Sequence, residues 1–261
     1  GAGQDAGAAA HALLSWGLWL HGDIDEAVTQ FAVATARAEA VRHPHTQAYV
    51  FYYGAILYAL RGEWPTAQNF AERCFALSDQ HGFRQWRGLS RAVRDICVAM
   101  EDPSTSAFDD VTSALNDYRN AGYQLGITSL FVLLCPALLL RAHPRAALEI
   151  AEQGLAIANH NNERVFEAEL CRLKARALLA DRAPDARMQV HALLGQALSV
   201  AREQNSRTLE LRAAADLATL WIDEGRSEKA LDLLAPIRAQ FAEGLDTHDI
   251  RQAKALLDQL Q

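Results

Sequence analysis

Gly22-Asp23-Ile24-Asp25-Glu26-Ala27 contains the step that decides the fold: a glycine, then an alanine five positions later. The step returns as Gly62 and Ala67, in altered form as Asp102 and Ala107 and as Ala142 and Ala147, and again as Gly225 and Ala230. The first four alanines stand 40 residues apart, and 83 residues separate Ala147 from Ala230, which leaves room for two steps with one slightly stretched repeat between them. A fixed period of this size marks a solenoid of helical hairpins. The small residue ends one helix, and the alanine lets the next helix pack closely against it.

A second punctuation carries the same period. His81-Gly82, Ala121-Gly122 and Asn161-Asn162 read as helix stops and lie 40 residues apart. Pro65, Pro103 and Pro144 fall where a first-turn proline is tolerated. The expected fold is therefore all-α: a right-handed superhelical, tetratricopeptide-like solenoid of six hairpins with a C-terminal capping helix, in one continuous domain over 1–261. The hairpins are predicted at 6–41, 46–80, 84–120, 123–160, 163–204 and 207–242, and the cap at 247–260. The turn from Ala180 to Asp185 accounts for the extra residues of the fifth hairpin. Arg42-His43-Pro44-His45 interrupts the helical pattern between the first two hairpins, because proline removes a donor and disfavours helix before it. In the cap, Ile250, Ala253, Leu256, Leu257 and Leu260 share one face and charges the other, the polar outer side a terminal unit needs.

Composition narrows the function classes. Half the residues are hydrophobic and the formal net charge is −7, with mixed signs along the helices. That balance argues against a nucleic-acid or anionic-membrane surface. The longest apolar run, Ile127 to Leu140, contains Pro136 and is too short for a bilayer. Cys74, Cys97, Cys135 and Cys171 sit in apolar helical runs at spacings that match no zinc or redox motif, as expected of buried free thiols in the cytoplasm.

No catalytic constellation emerges. There is no GxxxxGK[ST], GxSxG or HExxH pattern. His43, His45 and His81 read as polar turn residues rather than metal ligands, since no third ligand or i, i+4 spacing accompanies them. Asp23, Asp25 and Glu26, like Asp109 and Asp110, suit the first turns of second helices, where the helix dipole favours carboxylates. No cofactor or metal is expected.

The aromatic cluster Trp16, Trp19, Tyr49, Tyr52, Tyr53 and Tyr58 is the main candidate site. Counting back from the marker alanines places Ala12, Trp16 and Trp19, and then Tyr49, Tyr52 and Ile56, on the groove side of the first helices. Aromatics there serve either as anchors for a peptide or neighbouring domain or as core between adjacent repeats. Toward the C-terminus Arg212, Thr219 and Asp223 make the same surface polar, which suits a cap or an electrostatic clamp.

Several blocks resemble a known family. Leu209-Glu210-Leu211-Arg212-Ala213-Ala214 with Leu217-Ala218 and Leu220-Trp221, then Leu233-Leu234-Ala235-Pro236-Ile237 and Glu243-Gly244-Leu245-Asp246-Thr247, look like the tetratricopeptide-like C-terminal region of multidomain bacterial signalling proteins. In these proteins a class III adenylate/guanylate cyclase or DNA-binding domain precedes an AAA-type ATPase and then the helical tail. The resemblance implies a non-enzymatic interaction and sensor module in the cytoplasm. Its partner would be a protein or peptide segment, including domains of the same polypeptide, with ATPase or cyclase activity residing elsewhere in the parent. An alternative is the small-molecule sensor domain of a maltose-regulon-type activator. The chain departs from the family pattern at Asp95, where a small residue is usual, and this implies either a splayed hairpin or pairing with a neighbouring arginine.

Overall fold

The computed structural model describes residues 4–106, 111, 126–182 and 186–260. Among these residues the fold is all-α, built from successive helical hairpins as the period predicts. The first two hairpins are α1 (Ala6–His21) with α2 (Ile24–Val41) and α3 (Pro44–Leu60) with α4 (Trp64–His81). Next come α5 (Arg84–Glu101), α6 (Ile127–Leu140) and α7 (Pro144–Asn161). A 3-10 turn, Arg164–Phe166, leads into α8 (Glu167–Asp181) and α9 (Ala186–Glu203). The chain ends in α10 (Arg207–Asp223), α11 (Ser227–Arg238) and α12 (His248–Gln259). The second helix expected at 104–120, the start of the next at 123, and Asp109 and Asp110 lie outside the described residues.

The stops obey a simpler rule than the sequence suggested. Gly22, Arg42, Gly62 and Gly82 all have positive φ, and so do Ala142, Asn162 and Arg182, and Asn205 and Gly225. Within each group the left-handed residue returns every 20 positions, so each helix ends on the same backbone conformation. From Arg182 to Asn205 the interval is 23, and this interval contains the turn expected to hold the extra residues. Asp102 breaks the pattern with an extended φ of −129°. Pro44 opens α3 at its first turn two residues earlier than expected. His43, read from the sequence as a polar filler, accepts the backbone N–H of Thr46 at 3.3 Å and so caps α3.

The contacts divide the chain into two compact units. The first comprises Gly1–Leu18 with Asp25–Leu133, and the second Trp19–Ile24 with Leu134–Gln261. In the first unit α4 packs between α3 and α5; in the second α8 packs against α7 and α9, and α12 lies against α10 and α11. The marker alanines Ala27, Ala67, Ala147 and Ala230 are fully buried. They belong to stripes of small residues, Ala67, Ala71, Cys74 and Ser78 in α4 and Ala147, Ala151, Gly154 and Ala158 in α7, that let helix axes approach. Larger groups fill the remaining space. The Phe31 ring packs edge-on to Phe70 at 5.1 Å and sits where a side chain on Gly54 would have to be, so α2 and α3 close only because Gly54 has none.

In the second unit the short segment Trp19–Ile24 is held by residues nearly 190 positions away. Thr208 Oγ1 donates to the Trp19 carbonyl, and Ser206 Oγ to that of Leu20 at 3.3 Å. Ile24 meets Gly244, and Gly22 faces Phe241 and Arg207. Among the described residues no helix is long and apolar enough to cross a membrane.

Candidate functional site: an aromatic row and an ionic seam

In the first unit, first helices meet along a row of rings. Trp16 of α1 lies 4.8 Å from Tyr53 of α3 and donates its indole N–H to the Tyr53 carbonyl at 3.0 Å. Tyr53 stacks on Tyr49 at 4.4 Å, one turn earlier on the same helix. Tyr49 then meets Trp86 of α5 edge-on at 5.7 Å. Trp86 reaches back to α3, donating its indole N–H to His45 Nε2 at 3.2 Å. Tyr52 closes the row from beneath, 5.4 Å from Trp86, with its hydroxyl 3.4 Å from Ser129 Oγ.

Burial sorts these residues into two sets. Trp16, Tyr49, Tyr53, Trp86 and His45 are half-buried, so ring surface remains open to solvent. Ala12, Tyr52 and Ile56, expected on the groove, are buried at 0%, 3% and 0% exposure and pack as core. Burial, and next the hydrogen bond to Tyr53, push the Tyr49 hydroxyl above its ordinary range. Burial, and next His43, push His45 below its ordinary value, which keeps the ring neutral and its Nε2 free to accept from Trp86. The row therefore carries no formal charge. It offers flat ring faces with a few hydroxyl and indole groups.

Reasoning from the sequence missed Trp86 and His45. A signal existed, because Trp86 follows Tyr49 by 37 residues, the same interval that separates Trp16 from Tyr53.

The second unit uses different chemistry. Arg172 of α8 donates to both carboxylate oxygens of Glu169, at 2.8 and 2.7 Å, and to Asp216 of α10 at 2.7 Å. Arg212 of α10 donates to Glu169 at 3.0 Å and to Asp249 of α12 at 2.9 Å. Its guanidinium also covers the Trp19 ring, 5.1 Å from the centroid. Trp19, another expected groove residue, is only 2% exposed. Burial alone would raise the Glu169 carboxyl, but Arg172 and Arg212 beside it overcome that and hold it at about 2. Arg212, read from the sequence as part of an electrostatic clamp, thus spends its donors inside the fold. Asp223 and Thr219, the other members of that group, are exposed on α10.

The remaining candidates resolve as structural. Asp95 is buried and accepts from Arg94 Nε and Nη2 at 2.9 and 2.8 Å, which is the arginine pairing anticipated for it. All four cysteines are free and buried; burial pushes Cys74, Cys97 and Cys135 up to about 12 and Cys171 up to about 11, far from a reactive thiolate. Among the described residues no group of three or more His, Cys, Asp or Glu is placed to hold a metal ion.

No protein-family model matches the chain, and no curated protein does. Among solved structures it is similar to the TPR2AB-domain:pHSP90 complex of yeast Sti1, at 14% identity and a TM-score of 0.39 over 97% of this chain and 98% of that one. At that score the likeness carries nothing about a site or a partner.

Proposed function

We propose that residues 1–261 form a single helical-repeat interaction module without catalytic activity of its own. It would be the cytoplasmic regulatory tail of a larger ATPase and nucleotide-cyclase or DNA-binding signalling protein. The half-buried row Trp16, Tyr53, Tyr49 and Trp86 carries this reading. Aromatic rings already locked against one another lose little conformational freedom on binding, and such residues dominate the energetics of protein interfaces. A protein or peptide segment laid across first helices from consecutive hairpins would touch several repeats at once. Because each repeat contacts mainly its neighbours, occupancy would bias the packing from one hairpin to the next and so reach the attached domains.

The test uses the parent polypeptide. Replacing Tyr53 and Trp86 together with alanine should abolish its response to signal, with helicity and basal ATPase or cyclase activity retained. An unchanged response in that variant, or after deletion of the whole tail, would refute the reading.

A further inference from the structure

The α1 helix contains no Asp, Glu, Lys or Arg along its 16 residues, and its outward face is as apolar as its inward one. Ala6, Ala10, Leu13, Leu14 and Gly17 are exposed, with Leu13 at 49% and Leu14 at 47%. A side chain added at Gly17 would meet nothing. Contiguous exposed apolar surface is where partners commonly dock.

The repeat itself shows what belongs there. Forty residues on, in α3, the equivalent Thr46, Val50, Gly54 and Leu57 are buried and Tyr53 half-buried, and Gly54 is pressed against Phe31 of the preceding second helix, α2. Eighty residues on, in α5, the equivalent Ser90, Val93 and Cys97 are buried and Trp86 and Arg94 half-buried, and α5 packs against the preceding second helix, α4. Most of the same face is thus covered in α3 and α5, each time by a second helix lying before it. In α4 and α7 the covering helix buries small residues at spacings of four, three and four. A small stripe is also what α1 requires, because its position equivalent to Gly54 is the bulkier Leu14.

We propose that the outer face of α1 docks one amphipathic helix bearing alanine, glycine or serine at i, i+4, i+7 and i+11, a second helix of the same type as α4 and α7. The contact would repeat at α1 the kind of packing that α4 makes on α5. It differs from the aromatic row in residues and in partner, and it stands whether or not the row binds a peptide.

The probe is a synthetic copy of Pro144–Asn161, acetylated, amidated and cross-linked on its solvent face, with helicity checked by circular dichroism because isolated helices of this length are marginal in water. Titrated into the full chain, it should bind saturably. Leu14→Glu and Leu13→Glu, both at exposed positions, should each weaken binding at least tenfold while leaving the thermal midpoint of the chain unchanged. A peptide carrying Ala151→Leu and Gly154→Leu should bind at least tenfold more weakly than the parent peptide. A helical peptide that fails to bind, or binding that neither glutamate reduces, would overturn the proposal. So would self-association of the full chain that Leu14→Glu abolishes, since the occupant would then be a second copy.

Discussion

Tyr49, Glu169 and Arg212 each lie thirteen residues before the left-handed residue that ends their helix, at Gly62, Arg182 and Gly225 respectively. Tyr52 and Arg172 share the position ten residues before the stop, and Tyr53 and Asp216 the position nine before. One seam between first helices is therefore built in two ways, from rings in the first unit and from charges in the second. The repeat fixes where helices stop and where they need small residues, but it leaves the chemistry of this seam open. Rings tolerate partial exposure, and Trp16, Tyr49, Tyr53 and Trp86 all remain half-buried. Buried charges do not, because an unpaired one costs several kcal/mol, and so each arginine of the second seam is satisfied within its own unit. The aromatic seam keeps ring surface exposed without any bond being broken, whereas the ionic seam would open only by surrendering one.

The harshest way to break this comparison is at Glu169. Glu169→Ala leaves Arg172 and Arg212 facing each other across a buried gap and should cost about 3–5 kcal/mol in a denaturant titration. Combining Glu169→Met with Arg172→Leu and Asp216→Asn removes Arg172 together with both carboxylates it binds and retains the Arg212–Asp249 pair. That triple variant should recover most of the loss. If Glu169→Ala costs less than about 1 kcal/mol, the seam behaves as a surface ion pair and the contrast fails.

Acid probes the same carboxylate. The Glu169 pKa is lowered on folding to about 2 from an ordinary 4.5. The folded state therefore favours the ionised form, and the stabilisation is complete above about pH 4.5 and is lost as pH falls toward 2. On the order of 3 kcal/mol should disappear across that window. Glu169→Gln, which does not titrate, should show a correspondingly shallower decline in stability between those two pH values.

The aromatic seam should respond more mildly. Trp86→Phe keeps a ring against Tyr49 and Tyr52 but removes the donor to His45, and it should cost about 1 kcal/mol. A cost near that of Glu169→Ala would mean that the row is core, with no surface to spare for a partner.

How much of this was legible in the sequence follows from the same division. The stops and marker alanines are local features with one physical cause each, so their spacing led to the all-α fold of helical hairpins seen among the described residues. The groove assignments failed wherever exposure was decided by residues far away. Trp19 lies near one end of the chain, but its cover is Arg212 and Thr208. The Arg212 partners come from α8 and α12, and no local pattern announces them. His45 looked like a solvated turn residue because nothing nearby in sequence points to Trp86, 41 positions on.

The smallest effect concerns the register that makes the two seams comparable. Gly62 and Ala142 close equivalent helices, α3 and α6, with φ of 78° and 59°. Glycine adopts this conformation freely, whereas the Cβ of alanine crowds a backbone carbonyl there, at a cost of roughly 1 kcal/mol. Ala142 must therefore be held in place by the hairpin around it, and its amide does donate to the Leu139 carbonyl at 3.1 Å. Ala142→Gly relieves the crowding but also gives the unfolded chain more freedom to lose, and the two effects partly cancel. The net should be a gain of about 0.5 kcal/mol, seen as a thermal midpoint raised by roughly 1–2 °C for a chain of this size. Gly62→Ala should show the reverse, with a loss of about 1 kcal/mol. If Ala142→Gly destabilises instead, the alanine methyl makes a packing contact that outweighs its strain, and the stops of the two units are alike in backbone conformation but not in what holds them.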